Sequence, residues 1–239
     1  MVHDKRILGQ VRKAIQDYDM IQEGDRIAVG VSGGKDSLTL LVTLRKLKDF
    51  YPVGFDLKAV TVAMGIGEPD FSPVQRVCEE IGVDYTIEDT YIGKIVFEAR
   101  QEKNPCSLCA NLRRGALNST AVKLGCNKVA LAHNRDDVIE TLLLSTLYEG
   151  RIHSFSPVTQ LDRKGIYVLR PLIYVEEKQI KAFVKESSLQ IVRNPCPANG
   201  HTKRQYIKQL LMELSAENRE IKNNIFGAIK RSGLDGWHD

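Results

Sequence analysis

Between residues 26 and 135 the chain alternates short apolar segments with longer amphipathic ones, and this alternation constrains its fold more than any other feature. Residues 26–31, 56–63, 84–88 and 128–132 are short runs rich in Val, Ile and Ala, the pattern of buried strands. Between them, 36–49 carries Leu40, Leu41, Leu44 and Leu47 on helical spacing. A second helix is expected from Ser72-Pro73, as N-cap and first-turn proline, to Gly82, and a third over 107–124 before Gly125. Strand and helix in turn predict βαβ units, hence an α/β fold with a doubly wound, mainly parallel sheet and helices on both faces. Residues 7–18 read as an added N-terminal helix, 137–148 and 176–186 as further helices, and 150–165 as loop. Helices over 203–214 and 217–231 close the chain. The expected division is 1–24 as helical addition, 25–200 as the α/β domain and 201–239 as C-terminal helices.

With 239 residues, 43% apolar and 27% charged, the chain has the material for one full core. A net charge of +4 neither demands nor excludes a polyanionic partner, but its distribution is informative. Residues 1–180 hold 24 basic and 24 acidic side chains, whereas 181–239 hold 10 and 6, so a nucleic-acid surface is to be sought at the C-terminal end. No apolar run of about 18 residues occurs. The start leads into an amphipathic stretch instead of a signal-peptide core, which predicts a cytoplasmic protein with no membrane partner. In that reducing compartment the five cysteines are not expected to form a disulfide framework.

The first strand runs into Ser32-Gly33-Gly34-Lys35-Asp36-Ser37 and then directly into a helix. A glycine turn that opens a helix is an anion site, because free backbone N–H groups and the positive dipole end face one point. An aspartate after the lysine excludes a Walker A loop, and the order is not that of a dinucleotide-binding turn. After an apolar strand this order resembles the PP-loop of the ATP-pyrophosphatase superfamily, of adenine nucleotide alpha hydrolase-like fold, which splits ATP into AMP and pyrophosphate. The resemblance implies that Ser32 to Ser37 hold the leaving pyrophosphate, that Lys35 stabilises phosphate charge, and that Asp36 binds Mg²⁺ or orients Lys35. It also adds Ala63, at the end of the second strand, to the nucleotide-binding set. His133-Asn134-Arg135-Asp136-Asp137 follows a later strand at the same sheet edge, where α/β sheets bind ligands. Adjacent acids at a helix start can simply cap it; in the resembled superfamily a His-x-x-Asp-Asp signature holds the nucleotide, with the aspartates acting through Mg²⁺.

Cys106-Ser-Leu-Cys109 stands at a helix start, and Cys196 follows in Asn194-Pro-Cys-Pro197. Helix N-termini favour the thiolate that binds metals. Three such ligands suit a 4Fe-4S cluster with one iron left without a protein ligand, or zinc completed by His201 or water, or a thiol or disulfide pair with no metal. Cys78 and Cys126 have no partner at metal-like spacing and read as small buried hydrophobes.

Taken in order, Ser32–Ser37, Cys106 to Cys109 with Leu112-Arg113-Arg114-Gly115, residues 130–137, Glu140 to Leu144, Arg170-Pro-Leu172 and the late Cys196 resemble the tRNA 2-thiocytidine synthetase family. The family often has a second histidine where this chain has Asn134. The resemblance implies that ATP adenylates the C2 oxygen of a pyrimidine, cytidine by likeness, and that sulfide displaces AMP. It implies sulfur carried on a 4Fe-4S cluster held by Cys106, Cys109 and Cys196, with a persulfide on one of the pair as the alternative. tRNA, a sulfur donor such as a cysteine desulfurase or free sulfide, and a second copy of the chain are the implied partners. Arg113 and Arg114, with Lys203 and Arg204 in a stretch that also holds Lys181, Lys185, Arg193 and Lys208, are the expected tRNA contacts; solvated helix faces are the plain alternative. Tyr206 reads as a core residue of an amphipathic helix, with stacking on a flipped base as the alternative. Two rival functions remain: a ligase that attaches lysine to tRNA cytidine and keeps structural zinc, and an ATP-gated iron-sulfur sensor without catalysis.

Overall fold

The structure is a computed structural model that describes residues 2–67, 69–100, 105–192, 196 and 203–238. Six strands, β1 (Asp25–Gly30), β2 (Phe55–Ala63), β3 (Asp84–Asp89), β4 (Lys128–Ala130), β5 (Val158–Leu161) and β6 (Ile166–Leu169), form one sheet in the order β3-β2-β1-β4-β6-β5. Every neighbouring pair is parallel except β5 with β6. Side chains alternate across the sheet: Ile27, Val29 and Val31 enter one apolar cluster, while Ala28 enters the other. The helices are α1 (Val2–Asp17), α2 (Lys35–Lys48), α3 (Ser72–Ile81), α4 (Pro105–Lys123), α5 (Arg135–Glu149), α6 (Glu177–Glu186), α7 (Lys203–Glu217) and α8 (Ile221–Arg231). Leu117 and Ala121 of α4 cover the Ala28 face. Leu38 to Leu47 of α2 and Ile180 and Phe183 of α6 cover the other. The doubly wound α/β architecture expected from the alternation is therefore present.

Residues 150–165 are corrected from loop to include β5. That strand has four residues, none fully buried, so it carries no alternation to read; antiparallel pairing with β6 at the sheet edge is what makes it a strand. The start of α3 also differs from expectation. Ser72 lies inside the helix, and Asp70 before it accepts the Ser72 N–H at 2.8 Å and its hydroxyl at 3.0 Å. Gly82 closes α3 at φ +65°, as its sequence position foretold. A π-helical turn, Lys94–Ala99, precedes α4 and had no sequence signal.

The terminal helices are not peripheral. Ile7 and Val11 of α1, Ile207 and Leu211 of α7, Phe226 and Ile229 of α8, and Trp237 join the cluster that covers the sheet. Beneath them Lys128 and Asp25 form a buried ion pair at 2.6 Å, completed by the Met20 carbonyl and the Asn127 amide. Cys78 and Cys126 are buried among apolar side chains, as read from the sequence. Tyr206 is corrected to a surface residue, 59% exposed. No helix among the described residues is long and apolar enough to cross a membrane.

Candidate active site

β1 ends at Gly30, and the next four residues turn into α2 at the carboxyl edge of the sheet. Val31 N–H stays in register by donating to the Val60 carbonyl at 2.8 Å. Gly33 takes φ +77°, and Gly34 is the N-cap of α2 with no side chain capping the helix start, so first-turn N–H groups remain for an anion. Ser37 braces the turn: its hydroxyl donates to the Gly34 carbonyl at 3.0 Å and lies 3.2 Å from the Ser32 hydroxyl. A side chain on Gly33 would meet Val192 at 2.7 Å, and Val192 N–H donates to the Gly33 carbonyl at 3.0 Å. Val192, four residues before Cys196 in sequence, therefore lies directly on the loop.

Lys35 points its ammonium between two carboxylates, Asp36 at 2.7 Å and Glu177 at 3.0 Å. Burial alone would lower its pKa, but those two partners outweigh burial and raise it. The other oxygen of Asp36 accepts from the Asn134 amide at 2.9 Å. Asn134 also caps α5 in a reciprocal box with Asp137, through bonds of 3.0 and 3.1 Å, which starts that helix two residues before the expected 137. An asparagine where the resembled family often has histidine is thus a cap that steers Asp36 from across the cleft. Burial raises the Asp137 carboxyl above the ordinary range, and the nearby Asp36 charge adds to the shift. Asp36 and Asp137, both bonded to Asn134 and electrostatically coupled, are oxygen donors of the kind a divalent cation takes.

A cleft of about 520 Å³ runs from Ser32, Gly34, Asp36 and Ser37 to Arg113, Arg114, His133, Phe155 and Arg170. The His133 ring lies 4.6 Å from Phe155, over which Arg170 also sits at 5.1 Å. Desolvation holds His133 neutral down to about pH 3, with Arg170, Arg204 and Arg114 pushing the same way. A smaller adjoining cavity shares Ser32, Gly34, Val62 and Arg113 and adds Met64 and Phe71. Ala63 stands between Val62 and Met64 at the end of β2, its carbonyl held by Thr90.

Asp136 does not join this group. Its carboxylate accepts the Glu177 N–H at 2.8 Å and the Lys222 ammonium at 2.6 Å, on the side facing α6 and α8. The expected tRNA contacts divide similarly. Arg113 and Arg114 line the cleft, and Lys203 lies 4.4 Å over the Tyr148 ring. Arg204 pairs inward with Glu140 at 3.0 Å and Asp137 at 3.6 Å, and Lys208 with Glu140 and Glu177. Arg193 and His201 lie outside the described residues. Asn134 and Arg170 stand in motifs quoted from the sequence but were given no role there, and Glu177 and Phe155 were not singled out, because each reaches the site through tertiary packing.

Cys109 is buried beside Ile92 and Val96, its thiol 3.7 Å from the Met64 sulfur, while Cys106 is exposed and Cys196 half-buried. Burial raises the Cys109 pKa; Cys196 and Cys106 add to the rise and Arg113 opposes it, so the three thiols lie within electrostatic reach of one another. Among the described residues no three His, Cys, Asp or Glu side chains converge as the ligands of a single metal ion do. Three thiols within electrostatic reach of one another are the donor set that an iron-sulfur cluster takes.

The PP-loop domain family matches residues 4–215, and with the loop geometry above this defines the chain as a member of the PP-loop enzymes that bind ATP. Within them it belongs to the tRNA 2-thiocytidine synthetase family, a group of tRNA sulfurtransferases. It is 41% identical over 236 residues to a protein of Anaeromyxobacter sp. (strain K) named tRNA-cytidine(32) 2-sulfurtransferase, covering 95% of this chain and 78% of that one. A protein of the same name from Geobacter metallireducens is 40% identical, with 94% and 89% covered. Among solved structures the chain is similar to the U34-tRNA thiolase NcsA from Methanococcus maripaludis with its [4Fe-4S] cluster, at TM-score 0.80 and 26% identity over 95% of this chain and 77% of that one.

Proposed function

We propose that the protein thiolates tRNA at the C2 position of a cytidine, at position 32 as in the proteins it resembles, at the expense of ATP. The observation that supports this reading is the bond from Val192 N–H to the Gly33 carbonyl, which sets Val192, four residues before Cys196 in sequence, on the phosphate loop. A C2 carbonyl oxygen is a poor leaving group. Its attack on the α-phosphorus of ATP forms a C2–O–AMP bond and releases pyrophosphate; sulfide then forms the C2–S bond as AMP departs. The α2 N-terminus, Gly33, Gly34 and Lys35 hold the departing pyrophosphate, and Asp36 with Asp137 holds Mg²⁺. Arg113 and Arg114 meet phosphate charge from ATP or tRNA at the cleft wall. Cys106, Cys109 and Cys196 hold a 4Fe-4S cluster, which when bound supplies an iron free to carry sulfide. Ile92 and Val96 keep water from the Cys109 sulfur. The enzyme works in the cytosol, as a homodimer, with sulfur from a cysteine desulfurase or free sulfide.

The test uses protein purified without oxygen, unmodified tRNA, ATP and sulfide, with nucleosides read by mass spectrometry. The wild type is expected to form 2-thiocytidine; 2-thiouridine instead would overturn the choice of base. Replacing Cys196 with Ala is expected to abolish product and leave ATP affinity within about twofold, because the two sites use different residues. Retained thiolation would remove the three-cysteine site. About four irons and four labile sulfides per chain are expected, whereas one zinc without labile sulfide would turn the cysteines into scaffold.

A further inference from the structure

Lys35 is the one cation on the phosphate loop, and a lysine ammonium on a four-carbon stem has no fixed geometry of its own. Asp36 is its sequence neighbour; Glu177 comes from another element, the first turn of α6, and meets Lys35 at 3.0 Å. Glu177 is itself held from several sides. Its N–H bonds to Asp136, which Lys222 of α8 pins at 2.6 Å. Its carboxylate also faces Lys208 of α7 at 3.5 Å and Lys181 at 3.3 Å. The start of α6 is fixed by the box between Glu176 and Gln179, and Gln179 donates to Gln10 of α1 at 2.9 Å.

We propose that Glu177 is a positioning residue for Lys35, which sets the loop ammonium at the phosphate site from a base anchored by the C-terminal helices. This rests on the ATP-binding part of the proposed function. Lys35, Lys208 and Lys181 keep Glu177 ionised down to about pH 2, against the effect of burial, so the restraint is present at every working pH. The carboxylate has three lysines to pair with. When phosphates draw Lys35 forward, Glu177 keeps Lys208 and Lys181 and is not left as an uncompensated half-buried charge. Asp136 thereby acts on the nucleotide site at one remove, through the Glu177 backbone.

The experiment measures ATP affinity by calorimetry and AMP release in the presence of unmodified tRNA. Glu177→Gln is expected to slow AMP release about tenfold or more, with ATP affinity unchanged or tighter because Lys35 loses a competing negative charge. Glu177→Asp, which keeps the carboxylate, is expected to recover part of the rate and serves if the glutamine variant folds poorly. In a Lys35→Ala background the Glu177→Gln change is expected to have no further effect on AMP release. An equal loss in both backgrounds would make Glu177 a structural residue and overturn the proposal, as would an unchanged rate or a defect confined to ATP affinity. Absence of AMP from the wild type itself would instead refute the adenylation reading, so the two failures are distinct.

Discussion

His133 lies against Phe155 in the floor of the cleft, with its Nδ1 buried and without a hydrogen-bond partner among the described residues. In the fold its pKa falls from 6.5 to about 3, through desolvation and the arginines around it. Between those values the unfolded chain binds a proton that the folded one does not, so stability is complete above about pH 6.5 and is lost as pH falls toward 3. The slope contributed is at most about 1.4 kcal/mol per pH unit. Urea midpoints at about pH 7 and pH 5 check it: the wild type is expected to lose more than His133→Phe, and an equal loss would acquit the histidine. Asn134 acts differently, through two bonds of one amide group. Asn134→Ala is expected to cost about 1 kcal/mol by removing the α5 cap. It should also slow AMP release by freeing Asp36, whereas an undisturbed rate would separate the cap from the chemistry. The type of residue at 133, 136 and 137 was readable in the chain. Which carboxylate faces the loop was not, because Asp136 and Asp137 are neighbours in sequence and point to opposite sides of a helix start.

At the scale of elements, the turn between β1 and α2 places a tight demand on sequence. Gly33 combines φ +77° with close approach to Val192, so two independent constraints exclude a side chain there. Gly33→Ala is expected to lower ATP affinity about tenfold or more and to disturb Cys196, since Val192 N–H would lose its partner at the Gly33 carbonyl. ATP titration and iron content check both effects, and loss of one without the other would break the link between the sites. Strands β1, β2 and β4 were legible because they carry buried apolar side chains, and β3, which has no fully buried residue, through its place in the alternation with helices. β5 and the π-helical turn were not, because pairing and packing create them without a local signal.

The whole molecule is closed by its last residues. Trp237 is 2% exposed, stacks edge-on against Tyr18 and Phe226 at 5.8 and 5.6 Å, and donates its indole N–H to the Phe155 carbonyl at 3.1 Å. Trp237 thereby joins the end of α1 to α8 and braces a residue of the cleft wall. Trp237→Ala is expected to cost about 3–5 kcal/mol in urea unfolding and to loosen the cleft; a cost under about 1 kcal/mol would show that the indole is not part of the core. The sequence by itself determined the α/β class and the phosphate loop, since alternating periodicity and glycine turns are local properties of a chain. Tertiary structure alone decided that α1, α7 and α8 share the central core, that Arg204 and Lys208 turn inward to acids, and that Glu177 meets Lys35. Those contacts join residues far apart in the chain, and charge pairing between distant helices leaves no periodic trace in sequence.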